Sequence, residues 1–226
     1  MHRIYMLCLS LLLVAGVGKA QLLSSKTWRG DTGKVYLRVN PSGLIDVYDG
    51  NATIGGEVRL NRTWSVTMDA GFIFYSEYIA EAKKTRGILL RPGIRLYAGK
   101  YRDMFIDLQF HYKEVRYHIN DWLGKDVVNT VAAYEAFKVF QDRKRVVGGH
   151  IMIGGKEFLS KNRRLLLEVY LGFGLHYKEE GLYHEESNSQ YDRGFGIYRA
   201  SNISPEKRTS IAPALPGGLR LLYMIR

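Results

Sequence analysis

The clearest pattern along the chain is a strict alternation of apolar with polar or small side chains over residues 163–178. Read with a period of two, one face carries Leu165, Leu167, Val169, Leu171, Phe173, Leu175 and Tyr177. The opposite face carries Leu166, Glu168, Tyr170, Gly172, Gly174, His176 and Lys178. This period is typical of a β-strand, and a tilted strand of about 9–11 residues is long enough to cross the hydrocarbon core of a bilayer. The pattern therefore predicts a strand that could span a membrane.

The same alternation recurs along the chain and predicts eight strands, at residues 34–40, 52–60, 64–75, 88–97, 104–113, 147–154, 163–178 and 215–226. The connections after the second, fourth and sixth strands are short, and the other connections are longer. An even strand number with this asymmetry is typical of outer-membrane barrels, which have short periplasmic turns and long extracellular loops. We therefore predict an all-β fold, an eight-stranded antiparallel transmembrane β-barrel.

Two local features refine this prediction. Asn61 and Arg62 lie between two alternating runs and predict a tight hairpin turn. Pro92 lies within the fourth strand and has no backbone N–H to donate to a neighbouring strand. We therefore expect a bulge or weak pairing at Pro92.

Glycines indicate which face of the barrel points inward. Small residues are useful where side chains crowd inside a narrow barrel, and they have no such use on an open surface. The glycines that share a face with the charges are Gly55, Gly71, Gly93, Gly148, Gly154, Gly172, Gly174 and Gly218. The polar face is therefore predicted to line the interior.

Charges in a confined interior are costly unless they are paired, so the interior is predicted to be a linked ion-pair network that plugs the lumen. Its predicted members are Lys34, Arg38, Glu57, Arg59, Asp69, Arg91, Arg95, Asp107, Glu168 and Arg220. A small gated conduit is the alternative, although eight strands leave little room beyond the side chains.

Aromatic residues near the predicted strand ends suggest two interfacial girdles. One girdle would contain Trp64, Tyr97, Tyr101, Phe158 and Tyr223. The other would contain Tyr75, Tyr78, Tyr112, Tyr117, Trp122 and Tyr177. Ordinary β-propensity of aromatic residues is the alternative explanation.

Two long segments, residues 114–145 and 179–210, are predicted to be loops outside the membrane. Residues 127–140 could form a short helix or the extended ends of strands, because periodicity does not decide between them. These loops would carry any contact with lipopolysaccharide, a surface glycan or a protein partner, in addition to the outer-membrane lipid around the barrel.

The N-terminal residues are typical of an export signal. Arg3 is followed by an apolar run and by small residues at positions 18 and 20, which predicts a cleaved signal peptide over residues 1–20. Residues 21–33 would be a polar periplasmic lead, and residues 34–226 the barrel. The only cysteine, Cys8, lies inside the signal, which excludes a disulfide scaffold and a thiolate metal site in the mature protein.

The chain is basic, with a formal net charge of +11. Basic exported proteins can bind acidic polysaccharide, lipid headgroups or nucleic acid through electrostatics. Because the Lys and Arg residues form no compact cluster, the sequence argues against a nucleic-acid partner.

Two groups of titratable residues are candidates for a metal site or for catalysis. His176, His184, Glu185 and Glu186 could suggest a metal site, but a solvated charged loop explains them better. His111 and His150 could face the lumen near Asp107 and Glu168, but no serine is placed beside them to act as a nucleophile. We therefore predict no catalytic residue, no cofactor and no metal ligand.

Three segments, KVYLRVNPSGLI at 34–45, GEVRLNRTW at 56–64 and EVYLGFGLHY at 168–177, carry a family resemblance. With them the chain resembles small outer-membrane β-barrel proteins of the OmpA and OmpX type, and most of all the exported barrels of a domain-of-unknown-function family in Bacteroidetes. The resemblance covers roughly residues 34–226 and implies a bacterial outer-membrane location and a barrel fold. It implies no catalytic residues, and Arg226 differs from the terminal aromatic residue usual in such barrels.

These observations predict a non-enzymatic integral outer-membrane protein with a structural or surface-interaction role. The alternatives are a barrel enzyme that acts on lipid or peptide, a small gated conduit, and a soluble periplasmic carrier.

Overall fold

The structure is a computed structural model that describes residues 34–46, 49–79, 81–98, 103–129, 131–184, 188–191 and 207–225. In this part of the chain it contains one 3₁₀ helix, Pro41–Ile45, and one antiparallel sheet. The strands are β1 (Val35–Asn40), β2 (Gly50–Arg59), β3 (Trp64–Tyr75), β4 (Ala82–Ala98), β5 (Met104–Lys125), β6 (Tyr134–Phe158), β7 (Leu165–Tyr183), β8 (Lys207–Ala214) and β9 (Gly217–Met224).

The sheet closes in a ring. Each strand from β1 to β7 pairs with the next one along the chain, and β9 pairs with both β7 and β1. The residues that pair across the closing seam include Leu37 with Tyr223 and Val39 with Leu221. We call the end of the ring with the short connections 60–63 and 159–164 the turn end, and the opposite end the hairpin end.

Where the outer face of the ring is apolar, the interior is mostly polar, as the glycine argument predicts. Towards the hairpin end the interior instead contains an apolar cluster that includes Ile73, Val115, Ile119 and Leu123. The Arg95 side chain is fully buried, whereas Leu171 is 65% exposed. A Cβ added at the inward-facing Gly172 would lie 2.6 Å from Met152 Cγ, and one at Gly154 would lie 2.4 Å from Phe105 Cζ. The inward-facing glycines therefore lie where the opposing side chains leave no room for a methyl group.

The sheet has nine strands, so the prediction of eight strands was wrong in one respect. The predicted eighth strand is preceded by β8, which lies along the same edge of β7 as β9. Regular pairing stops between Ala214 and Gly217, where Pro216 lacks an N–H, although the Pro216 carbonyl still accepts a hydrogen bond from Gly172 N at 2.8 Å. Together β8 and β9 fill a single position, which leaves eight positions around the ring.

The prediction of loops at residues 114–145 and 179–210 was also wrong over most of the residues that the structure describes. Residues 114–125 belong to β5, and β6 begins at Tyr134, so this segment is a long two-stranded hairpin. Residues 179–183 belong to β7, and residues 207–210 belong to β8. Residues 192–206 lie outside the described residues. Residues 127–140 were predicted to form either a short helix or extended strand ends, and residues 134–140 form the extended start of β6.

Both local predictions are confirmed. Residues 60–63 connect β2 to β3, and Asn61 Oδ1 accepts hydrogen bonds from the backbone N–H groups of Thr63 and Trp64 at 2.8 Å. Pairing between β4 and β5 is interrupted at Arg91 and Pro92, although β4 keeps its register with β3 there.

The predicted aromatic girdles are partly wrong. Trp64, Tyr177 and Tyr223 are exposed on the outer face, and Tyr75 is exposed at the end of β3. Tyr97 and Tyr117 lie on the inward-facing positions of β4 and β5, where they are buried and their hydroxyl groups bond interior carboxylates. Trp122 lies on the long hairpin, ten positions beyond Tyr112 on β5. Tyr101, the predicted signal at 1–20 and the lead at 21–33 lie outside the described residues.

None of the helical segments that the structure describes has the length and apolar character that a membrane crossing would require.

Candidate functional site: the polar interior

The interior near the turn end is organised by the Arg95 guanidinium. Arg95 donates to the Asp107 carboxylate through Nε at 2.6 Å and through Nη2 at 2.8 Å. It also donates to Glu57 at 3.0 Å and contacts both oxygens of Glu168. The Arg95 Cζ lies 3.8 Å from the centroid of the Phe105 ring, so the group is also stacked.

A second guanidinium completes this layer. Arg220 Nη1 lies 3.2 Å from Asp107 Oδ2 and 3.9 Å from Glu168 Oε2, and its Cζ lies 3.8 Å above the Tyr170 ring. We call Glu57, Arg95, Asp107, Glu168 and Arg220 the ion-pair layer. Its five side chains come from β2, β4, β5, β7 and β9, so the layer ties together both sides of the ring.

The other predicted network members lie around this layer. Arg38 Nη2 is 3.4 Å from Asp69 Oδ2, which forms a separate buried pair. The Arg59 guanidinium lies 4.2 Å from the Tyr97 ring centroid. Arg91 bonds to a histidine, as described next, and Lys34 at the start of the described chain is exposed. The interior charges are therefore brought into contact as several groups, and five of them form one linked cluster.

Three histidines from adjacent strands meet towards the hairpin end. His111 on β5 and His176 on β7 both pair with Gly148 on β6, while His150 on β6 pairs with Gly174 on β7. The three ring centroids lie 4.6–4.9 Å apart, and His150 Nε2 lies 2.7 Å from His176 Nε2. Arg91 Nε donates to His111 Nδ1 at 3.2 Å. We call His111, His150 and His176 the histidine cluster.

A cavity of about 240 Å³ lies next to both groups. Its walls include Arg91, Gln109, His150, Tyr170 and Arg220, so it reaches from the histidine cluster to the ion-pair layer. Most of these groups can donate or accept hydrogen bonds. The cavity can therefore hold water or a small polar ligand.

A third polar group lies beyond the histidine cluster, at the hairpin end. Asp49 accepts hydrogen bonds from Lys113 Nζ at 2.6 Å and from Lys144 Nζ at 2.7 Å, and from the Tyr117 hydroxyl at 3.1 Å. Burial raises the pKa of the Asp49 carboxyl, but the two ammonium groups outweigh it and the pKa falls to about 2. Burial and the neighbouring Lys113 lower the pKa of Lys144 to about 8, although Asp49 acts in the opposite direction.

The structure does not bring together either of the two groups of residues that the sequence suggested as candidates for chemistry. His176 lies in the histidine cluster, while the ring of His184 contacts Tyr183, and Glu185 and Glu186 lie outside the described residues. The carboxylates of Asp107 and Glu168 bind arginines, and His111 and His150 contact each other instead. The alternation did put the three histidines on the inner face. The register between β6 and β7, which brings them together, could not be read from it.

The chain matches no protein-family model, no curated protein and no solved structure. Its function therefore has to be argued from its own residues.

Proposed function

We propose that the protein is an integral β-barrel of a bacterial outer membrane, closed to passage by its ion-pair layer and without enzymatic activity. The observation that carries this proposal is a belt of exposed apolar side chains around the ring, which we call the apolar belt. Its members are Leu37, Val39, Ile54, Val58, Val66, Met68, Phe72, Phe74, Ile88, Ile94, Ile106, Leu108, Phe110, Ile151, Ile153, Val169, Leu171, Phe173, Leu175 and Ile211.

The belt is far larger than the apolar patches that water-soluble monomers expose, which cover a few hundred Å². Burying apolar area gives roughly 25 cal/mol per Å², so a continuous belt of this kind is stabilised by contact with lipid chains and not with water. The charged side chains at the height of the belt, such as Arg95, Glu168 and Arg220, lie inside the ring. A soluble carrier would have the reverse arrangement, with its apolar face around an internal ligand.

The height of the belt also fits a bilayer. On β7 the belt begins at Val169, and the exposed Tyr177 marks its edge at the hairpin end. Nine strand residues span about 30 Å at roughly 3.3 Å per residue. With the strand tilt of about 40° usual for membrane barrels, the height becomes about 23 Å, close to the apolar band of about 25 Å of outer-membrane proteins.

The ion-pair layer supports a plugged interior. Guanidinium and carboxylate groups from five strands meet at hydrogen-bonding distances, and ring stacking fixes both arginines. Opening a conduit would require these buried pairs to separate, which leaves uncompensated charges in a poorly solvated interior. A closed interior therefore fits this geometry better than a conduit.

The partners we propose are outer-membrane lipid along the belt and lipopolysaccharide at its upper edge. Just beyond the belt, on the outer face at the hairpin end, lie Arg116, Arg143 and Arg145, whose side chains are partly exposed. Arg116 and Arg145 both contact Glu114, and Arg143 contacts Glu179. Arginines at this height can bind the phosphates of a lipid headgroup. The long β5–β6 hairpin beyond them would present a surface to a glycan or protein partner.

The proposal can be tested with two matched substitutions. Leu171 lies within the belt and is 65% exposed, and Leu60 lies in the β2–β3 turn and is 63% exposed. Leu171→Arg should lower the unfolding free energy in lipid vesicles by about 2–4 kcal/mol, because an arginine inside the hydrocarbon core is poorly solvated. Leu60→Arg should change it by less than about 0.5 kcal/mol. Equal effects of the two substitutions in urea titrations would contradict the proposal.

A further inference from the structure

The three imidazoles of the histidine cluster have no role in the proposed function. His111, His150 and His176 project into the ring from three neighbouring strands, and one ligand nitrogen from each lies within 4.8 Å of the others. A metal with nitrogen ligands at about 2.0–2.1 Å in tetrahedral geometry needs them roughly 3.3 Å apart. Small movements of the rings would therefore bring the three nitrogens onto one ion.

The sequence provides the space in which these rings lie. A Cβ at Gly148 would lie 2.6 Å from His176 Cδ2, and a Cβ at Gly174 would lie 2.4 Å from His150 Cδ2. Each imidazole thus rests on the bare backbone of a glycine in the neighbouring strand. A larger residue at either glycine would push a histidine out of the cluster.

The contact between His150 and His176 is the one that a cation would replace. Their Nε2 atoms are 2.7 Å apart, so one ring donates its N–H and the other accepts it. A metal ion would replace this bond once the donor ring carries its proton on Nδ1, because both Nε2 lone pairs are then free to bind the ion. Two other ring nitrogens, His111 Nε2 and His150 Nδ1, are buried and have no hydrogen-bond partner in the described part of the protein.

We propose that His111, His150 and His176 form a binding site for a divalent first-row transition-metal ion, with Zn²⁺ as the reference ion. Three imidazoles are the donor set of many zinc sites that keep a fourth position open. Ca²⁺ and Mg²⁺ are excluded as preferred ions because they require oxygen ligands. The cavity that His150 lines lies beside the cluster, and a water molecule or a small anion there can complete the coordination.

Neighbouring charges set the strength of this site. The cationic side chains that act on the cluster are Arg91, Lys113, Lys178 and Arg220. Arg91 also donates to His111 Nδ1 and so competes for a ring nitrogen. Metal binding requires Arg91 to withdraw from His111, and the variant Arg91→Gln should therefore bind the metal more tightly than the wild type.

The test is a zinc titration of the full chain, produced without a histidine tag and folded in detergent micelles. The wild type should bind one Zn²⁺ per chain, and Co²⁺ should give the visible absorption of a nitrogen-ligated site. The double variant H150Q/H176Q should bind Zn²⁺ roughly 100-fold more weakly or worse, since losing even an outer-shell partner costs 10–100-fold. The exposed His184→Gln is the matched control and should bind like the wild type.

Two results would overturn the proposal. The first is a wild type that binds no stoichiometric Zn²⁺, Co²⁺ or Cu²⁺, which needs no variant and so does not depend on whether the substitutions fold. The second is equal affinity of the wild type and the folded H150Q/H176Q protein, which would show that the metal lies elsewhere. A barrel that inserts in lipid but binds no metal would contradict the metal site and leave the proposed function intact.

Discussion

The ion-pair layer and the histidine cluster occupy the same interior, yet they are bonded in different ways. In the ion-pair layer, opposite charges touch directly, and one guanidinium contacts three carboxylates. In the histidine cluster, like groups face one another, and a cavity lies beside them. The first arrangement stabilises one geometry of the ring. The second can rearrange around a ligand at low cost.

The largest loss of stability is expected when the centre of the ion-pair layer is removed. Arg95→Leu leaves Glu57, Asp107 and Glu168 buried without their main counter-ion. We expect a loss of about 3–5 kcal/mol in unfolding free energy, because an uncompensated buried charge is poorly solvated. Urea unfolding in micelles measures it, with the exposed turn variant Arg62→Leu as control. A loss below about 1 kcal/mol would mean that the layer does not hold the ring together.

A smaller effect is expected from neutralising one partner. Glu168→Gln keeps the shape of the side chain but removes the charge that Arg95 and Arg220 contact. The unfolding free energy should fall by about 2–3 kcal/mol, while membrane location stays the same. The partly exposed Glu179→Gln, which weakens a surface pair with Arg143, should cost less than about 1 kcal/mol. Similar losses for both variants would remove the distinction between interior and surface pairs.

The smallest effect is expected in the histidine cluster. His150→Gln removes one hydrogen bond between two imidazoles and should lower the unfolding free energy of the metal-free protein by about 1 kcal/mol or less. The same urea titration, with a chelator present, measures it. A loss as large as that of Arg95→Leu would show that the histidine cluster stabilises the ring as much as the ion-pair layer does.

Alternation in the sequence predicted which residues face inward, because the sheet has one apolar and one polar face wherever the apolar belt surrounds it. Arg95, Glu57 and Leu171 all lie on the predicted faces. In residues 114–119 of β5 the alternation reverses: Val115, Tyr117 and Ile119 face inward into an apolar cluster, whereas Glu114, Arg116 and His118 lie on the outer face. Because this polarity is the opposite of that in the membrane-spanning strands, the sequence predicts a loop here. The pairing of this segment with β6 is set by tertiary contact, not by a local pattern.

The site was less predictable than the fold. Glu57, Arg95 and Glu168 are separated by 38 and 73 positions along the chain, and only strand register and ring closure bring them together. The same holds for His176, which meets His111 through their shared neighbour Gly148. The residue types and their faces can be read from the sequence, but the partner of each side chain depends on pairings that no single strand specifies.

The accessibility of a spin label at residue 171 shows directly whether the apolar belt meets lipid or water. A nitroxide label at Leu171→Cys, in protein folded into lipid vesicles, should be accessible to oxygen and protected from a water-soluble nickel complex, because the apolar belt faces acyl chains. Equal access of both reagents, as for a side chain in water, would contradict the central claim that the exposed leucines meet lipid.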